Sequence, residues 1–487
     1  MRVFISIVFV LLVLAGCDKQ INQIRPLTQI DQDGELSSLE GIEEATIGNY
    51  RLLRSTSFGN YDQSLSILSE SRGNNVTLRQ FGPVQKNTDA FFYRNSPSPT
   101  LGHSDGFFRG SYQLIVGVNA VLEGIARFET SGSASLVRAE KDKLLYAKGE
   151  NVFLRALVYF NLIRLYGKPY YQQSGNTPGV PLKQTSLVSD NPARATVKEV
   201  YAFIVEELKL AAQLMKVPVE KTNSFANTAA AWALLSRAYL YMGGSVASPD
   251  KTFNEAAVTY ADSALLHNGG RFELLQGDDY IHLFAADERG DLGRAQFATN
   301  QEILFAFDNL PYGTSVGLLY NYDGQYNRGA TFVPSADLKL LFAAADSRSQ
   351  FFRLRPGTGV VESTKYLVAF GELLSMAPVI YCRMGELYLN RAEAHAKLGD
   401  FLGARKDLTT IHTRAGLPAA ETSHLADAAV LSAILFERRL ELAFEGHAGY
   451  DYYRNGLAMS RLAADNNGTA VTIQADDVRV VLTIPVY

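Results

Sequence analysis

Between Leu144 and Leu165 apolar residues return every three or four positions: Leu145, Val152, Phe153, Ala156, Leu157, Phe160, Ile163 and Leu165. That spacing predicts one face of a helix, and Gly167-Lys168-Pro169 predicts where it stops. Thr196 is placed to cap a second helix, whose stripe is Val200, Phe203, Ile204, Leu208, Leu210, Ala211 and Leu214. A third helix is predicted from Asn227 to Met242, ending at Gly243-Gly244, and a fourth from Phe253 to Leu266, ending at Asn268-Gly269-Gly270.

These helices repeat a theme. Ala238-Tyr-Leu-Tyr-Met-Gly243, followed after an insertion by Phe253-Asn-Glu-Ala-Ala, aligns with Ala394-His-Ala-Lys-Leu-Gly399-Asp-Phe401-Leu-Gly-Ala. Each is a small-residue helix, a glycine break and an aromatic that opens a partner helix, the tetratricopeptide pattern. The expected fold class is therefore mainly α, a tetratricopeptide-like array with units near 145–215, 227–266, 380–412 and 427–447. Residues 59–110 and 271–375 have another texture, rich in Gly, Asn, Asp, Pro, Phe and Tyr, with a strand candidate at Glu302–Phe307. They are too long for simple connections and read as one irregular, loop-rich lobe laid over the scaffold.

At the N-terminus, Met1-Arg2 precedes an apolar run from Val3 to Leu14 and then Leu14-Ala15-Gly16-Cys17. A run of about a dozen residues rises only about 18 Å as a helix, short of a bilayer core of roughly 30 Å, so a secretory signal over residues 1–16 is expected. The Leu-Ala-Gly-Cys ending resembles a bacterial lipobox, which implies that Cys17 is acylated and becomes the first mature residue. Residues 17–38 then read as a polar tether, and residues 39–487 as the folded body. Cys382 lies in an apolar pattern read as helical and is expected to be a buried, inert thiol.

Composition narrows the function. With 46 Lys+Arg against 50 Asp+Glu, the chain lacks the basic surface that nucleic acid requires. Two cysteines cannot build a disulfide scaffold or a four-thiolate zinc site.

Five segments together resemble the SusD/RagB family of surface lipoproteins of Bacteroidetes-type nutrient uptake. They are Arg155-Ala-Leu-Val-Tyr-Phe-Asn-Leu-Ile-Arg-Leu-Tyr-Gly167, Ala231-Trp-Ala-Leu-Leu-Ser-Arg-Ala-Tyr-Leu-Tyr-Met-Gly243, Asn300-Gln-Glu-Ile-Leu-Phe305, Arg383-Met-Gly-Glu-Leu-Tyr-Leu-Asn-Arg-Ala-Glu-Ala394 and Glu437-Arg-Arg-Leu-Glu-Leu-Ala-Phe-Glu-Gly-His447, the last followed by Tyr450-Asp451 and Arg454. The order and spacing extend from Cys17 to Pro485. The resemblance implies a non-catalytic lipoprotein of the outer membrane, facing the cell exterior. It would capture oligosaccharide or polysaccharide and deliver it to a TonB-dependent, SusC-like transporter. Two readings stay open on the same architecture: a peptide or glycopeptide cargo, and a helical-repeat scaffold that docks another protein. The family usually continues past its Ile-Pro element with a short tail, whereas this chain stops at Tyr487, just after Ile484-Pro485.

Catalytic patterns are weak. Gly313-Thr-Ser315-Val-Gly317 has nucleophile-elbow spacing, but that motif needs a strand-to-helix turn in an alternating α/β chain, so Ser315 reads as part of a loop. None of the seven histidines sits four residues from another, and no phosphate-binding loop occurs. No metal or other cofactor is expected. Glu437, Glu441 and Glu445 stack on one predicted face, and Glu386 and Glu393 on another. Carboxylates aligned on one helix cannot straddle a sugar as glycoside hydrolysis requires, so ion pairs with neighbours Arg438, Arg439 and Arg391 are expected instead.

The aromatics remain: 25 Tyr and 27 Phe, but one Trp. Aromatic rings stack on the C–H faces of sugars while Asn, Asp and Arg bind the hydroxyls. Trp232 falls within a scaffold helix and is assigned to packing. The candidate glycan contacts are therefore Tyr312, Tyr320, Tyr322 and Tyr326 with Asn321, Asp323 and Arg328, and, in Phe91-Phe92-Tyr93-Arg94-Asn95, Phe92 and Tyr93.

Overall fold

The structure, a computed structural model, describes residues 32–53, 61–79, 85–98, 102–284, 299–307, 316–323, 328–355, 357–366 and 379–486. Cys17, Tyr312, Ser315 and Tyr326 lie outside these residues. The helices that build the scaffold and lobe are α1 (Leu39–Leu52), α2 (Tyr61–Ser69), α3 (Gln85–Phe91), α4 (Asp105–Ser131), α5 (Arg138–Tyr166), α6 (Val197–Leu214), α7 (Thr228–Met242), α8 (Lys251–Leu266), α9 (Val316–Tyr320), α10 (Met384–Leu398), α11 (Phe401–Arg414), α12 (Asp427–Glu441) and α13 (Ala448–Arg454). The strands that bear on the site are β1 (Val76–Leu78), β2 (Ile303–Phe307), β3 (Tyr322–Asp323), β4 (Arg328–Gly329), β5 (Phe332–Pro334) and β6 (Val379–Arg383).

The scaffold is a continuous array of neighbours: α4 packs on α5, α5 on α6, α6 on α7, α7 on α8, α8 on α10, and α10 on α11 and α12. The starts of α6, α7 and α8 are capped by the residue types such ends favour. Thr196 Oγ1 accepts from the Glu199 amide at 3.2 Å while the Glu199 carboxylate accepts from the Thr196 amide at 2.7 Å. Asn227 caps α7 through the Ala230 amide at 2.9 Å, and Asp250 caps α8 through the Phe253 amide at 3.0 Å. Small residues set how closely the pairs approach: Ser236 Oγ donates across to the Ala257 carbonyl at 2.9 Å, and Leu240, Ala257 and Ala394 form one buried cluster between α7, α8 and α10.

Three differences from the sequence reading have local causes. Residues 379–383 form a strand, not the start of a helix. Val379-Ile380-Tyr381 is β-branched and aromatic, and it pairs antiparallel with β2, both strands being buried at every position. Cys382 sits in that strand, 1% exposed, with its sulfur 3.4 Å from an Arg237 guanidinium nitrogen. The helix expected to reach residue 447 ends at Glu441, because Phe444 and Gly446 take left-handed backbone (φ 71° and 80°) before α13 begins. Lastly, α4 is a 27-residue helix that starts inside the stretch read as irregular; Phe107, Phe108, Leu114, Ile115 and Val118 give it a buried face.

The lobe is joined across the chain. β1 pairs antiparallel with β5, aligning Val76 with Pro334 and Leu78 with Phe332, while α9 packs on α2 and α2 on α3. Both aromatic segments singled out in the sequence therefore belong to one packed body.

Candidate functional site

Helix α3 ends at Phe91, and Tyr93 follows with φ 58°, a left-handed turn that swings its ring inward. Tyr93 is 4% exposed; its hydroxyl meets the Arg72 carbonyl and the Tyr453 hydroxyl, and the Arg72 guanidinium lies 4.1 Å over its ring. Tyr93 is thus a core residue, and the expectation that it offers a ring face to ligand is corrected. Phe92 is half-buried, packed edge-on to Phe91 at 5.0 Å, with the Arg94 guanidinium 5.0 Å over its ring. Arg94 is well exposed and stands 3.6 Å from Asp89. An aromatic ring, a guanidinium and a carboxylate therefore meet at the lobe surface, a combination able to stack on a sugar and bind its hydroxyls.

Tyr320 and Asn321 are also corrected. Both are fully buried. The Tyr320 ring stacks on Tyr366 at 5.6 Å and meets Phe444 edge-on at 4.8 Å, and the Asn321 amide donates to the Gly317 carbonyl at 3.1 Å. The alternation of Tyr and Asn could not reveal that α9 turns these two residues toward the core. Tyr322 and Asp323 pair with Gly329 and Arg328 in a two-stranded hairpin, whose side chains lie outside the described residues. Trp232 is half-buried against the main core, with the Lys216 ammonium 5.4 Å from its ring.

The carboxylate rows form buried ion pairs, though with partners distant in sequence. Glu441 bonds Arg414 at 2.6 Å and Arg383 at 2.7 Å, Glu437 bonds Arg348 at 2.6 Å, and Glu445 bonds Lys365 and Arg383 at 2.6 Å each. The sequence neighbours turn elsewhere: Arg438 to Asp451 at 2.8 Å, Arg439 to Asp337 at 2.6 Å, and Arg391 to Asp407 at 2.7 Å. Glu386 instead holds Arg237, and Glu393 holds Arg454 at 2.6 Å and Lys397 at 3.1 Å. Burial alone would raise the Glu441 carboxyl, but Arg414, Arg383 and Arg348 hold it well below the usual carboxylate range. Groups so fully engaged are locked into structure. Among the described residues no group of three or more His, Cys, Asp or Glu is arranged to hold a metal ion.

One concave feature escaped the sequence reading. The end of α5 meets α13 and the 3₁₀ turn Glu70–Arg72 around a cavity of about 40 Å³, walled by Tyr170, Tyr201, Tyr241, Tyr450 and Tyr453. The close approach depends on Gly449: a Cβ there would stand 2.7 Å from the Ser69 carbonyl oxygen. The signal was present in Tyr450-Asp451 and Arg454, but these tyrosines come from four separate elements.

Known proteins share this scaffold. A family model described as the SusD family matches residues 371–486, and one described as starch-binding associating with outer membrane matches residues 44–240. The solved structure of a SusD superfamily protein from Bacteroides thetaiotaomicron is 26% identical, covers 92% of this chain and 96% of its own, and superposes with a TM-score of 0.78. The chain belongs to the SusD/RagB family. A SusD-like carbohydrate binding protein from Bacteroides vulgatus has the same fold, with a TM-score of 0.70 at 21% identity over 90% of this chain and 89% of that one. SusD-like protein P2 of Formosa agariphila is 22% identical over 323 residues, 65% of this chain and 55% of that protein, so the match spans about half of that relative's length. The mainly helical fold expected from the repeats, and its SusD-like form implied by the resemblance, are what is observed. Among the described residues no helix is long and apolar enough to cross a membrane.

Proposed function

We propose that this chain is a non-catalytic, glycan-binding lipoprotein, anchored to the outer membrane through Cys17 and facing the cell exterior. It captures oligosaccharide and passes it to a TonB-dependent, SusC-like transporter. The observation that carries the reading is the Phe92–Arg94–Asp89 surface on a scaffold whose residues 44–240 match the starch-binding family model. Phe92 supplies a ring, Arg94 and Asp89 supply donors and acceptors, and Tyr312, Tyr322, Tyr326, Asp323 and Arg328 are proposed as further glycan contacts. Open aromatic platforms bury little of their ligand, so each contact is weak. Tethering beside the transporter then raises the effective concentration of bound glycan at the pore.

The test is a polysaccharide panel read by affinity electrophoresis and calorimetry, on the protein and on Phe92→Ala and Tyr322→Ala/Tyr326→Ala variants. Binding to at least one glycan, weakened about tenfold or more in a variant, is expected. A protein that binds no glycan, or binds one equally well in every variant, would overturn the reading or its site.

A further inference from the structure

Among the described residues most buried arginines face a carboxylate; Arg72 and Arg461 do not, nor does the half-buried Arg164. Arg461 is taken up by the Gly73, Phe91 and Ser71 carbonyls. Among the described residues Arg72 is 3% exposed and donates only to carbonyl oxygens, those of Arg479 and Val480 (the latter at 3.1 Å) and, at 3.4 Å, Asn95 Oδ1. Arg164 likewise has no ion pair. It donates to the Tyr241 hydroxyl at 3.3 Å and to Asn161 Oδ1, and its Nε is buried with no acceptor. A guanidinium carries five N–H donors, so Arg164 keeps unused ones. Glu445 lines the small cavity on the other side of Arg164, but its oxygens are held by Arg383 and Lys365.

Both arginines line the tyrosine-walled cavity, with Tyr450 beside each of them. The Tyr450 ring is 4.3 Å from the Arg164 guanidinium carbon, and Phe160 is 4.6 Å from it. Stacking of this kind occupies the flat faces of a guanidinium and leaves its N–H edge for an acceptor, the geometry in which arginine binds oxyanions. Tyr450 itself is 8% exposed, and its hydroxyl has no partner. Arg454 completes the wall but is already neutralised by Glu393 and Asp451, whereas Lys168 is exposed on the lining. Two cations without a carboxylate partner therefore line one cavity, and an unused Nε and an unpartnered hydroxyl lie buried in its walls. Its 40 Å³ compares with the roughly 10–15 Å³ that a single water needs, room for a group of a few heavy atoms rather than a sugar ring.

We propose that this cavity binds a single oxyanion group, a carboxylate or sulfate, with Arg164 and Arg72 supplying charge, Tyr450 a hydroxyl donor and Lys168 an outer attraction. The site shares no lining residue with the Phe92–Arg94–Asp89 surface and does not depend on glycan capture there. Borne on a sugar, such a group would make the protein selective for acidic over neutral glycans.

The test is calorimetric titration and thermal unfolding of the protein with sodium sulfate, sodium glucuronate and glucose, against sodium chloride at matched ionic strength. Saturable binding of at least one anion, a raised unfolding midpoint with it, and no effect of glucose are expected. Tighter binding of glucuronate than sulfate identifies a sugar acid as the ligand; the reverse order identifies a sulfate group. Tyr450→Phe, which removes only the hydroxyl, should weaken the anion about fivefold or more, and the exposed Lys168→Ala about twofold to threefold. Absence of saturable anion binding, or equal binding by both folded variants and the parent protein, would overturn the proposal and leave the arginines a purely structural role. Neither result depends on whether a neutral glycan binds at Phe92.

Discussion

Arg414 and Glu441 lie 2.6 Å apart with neither side chain exposed, tying the end of α11 to the end of α12. Glu441 also accepts from the Tyr280 hydroxyl at 2.8 Å and faces Arg383 and Arg348, so one carboxylate is shared among three guanidinium groups, each of which also meets another carboxylate. Removing one partner of a buried pair strands the other charges, at a cost of roughly 3–5 kcal/mol. Glu441→Gln should therefore lower the urea midpoint by an amount in that range. The stabilisation is complete above the ordinary Glu value of 4.5 and is lost as the pH falls below it, because the folded-state value is depressed. The variant's disadvantage should shrink over the same acid range.

The aromatic residues should divide by burial. Tyr320→Ala removes a fully buried ring from between Tyr366 and Phe444 and should cost about 3–5 kcal/mol in stability, read by denaturant unfolding. Phe92→Ala should cost less stability and weaken glycan binding. If Tyr320→Ala instead lowered affinity at unchanged stability, the burial argument would fail.

His103 provides a pH readout. Burial, reinforced by the nearby Arg72 cation, lowers its value from 6.5 to about 4. The folded protein therefore leaves His103 neutral where the unfolded chain protonates it, and stability declines as the pH drops from 6.5 toward 4. The slope from this one group approaches about 1.4 kcal/mol per pH unit within that window. His103→Gln should flatten the profile there, and an NMR titration should find the ring neutral until about pH 4.

Cys382 should be silent toward thiol reagents in the native protein. Burial pushes its thiol up to about 12, which leaves almost no thiolate at neutral pH. With Cys17 replaced, a colorimetric thiol count should read none before denaturation and one after. Native reactivity would mean that the β2–β6 pairing opens readily.

What was legible in the chain follows from interactions close in sequence. The stripe in α5, the caps at Thr196 and Asn227 and the small-residue helix starts depend on residues within a turn or two, and they suffice for a repeat scaffold. The family resemblance was legible for the same reason, since four of its five segments lie mainly in helices, while Asn300–Phe305 leads into β2. The strand at 379–383 was misread because a short buried apolar run has no period of its own until its partner is known. Likewise Glu437, Glu441 and Glu445 predicted ion pairs but not the partners, which are Arg348, Arg383, Arg414 and Lys365 from other elements.

The candidate ligand surfaces depend still more on tertiary structure. Phe92 and Tyr93 are adjacent and chemically alike, yet one lies at the surface and the other in the core, because a single left-handed residue ends α3. The near balance of charge argued against a nucleic-acid partner. However, charge summed along a chain carries no information about which guanidinium groups meet a carboxylate. Arg72 and Arg164 stand 92 positions apart in the chain and are set beside Tyr450 only when α5, the Glu70–Arg72 turn and α13 close on one another. Local periodicity could determine helices, because a helix closes its hydrogen bonds within itself. It could not determine a pocket, whose walls are chosen by packing between elements far apart in sequence.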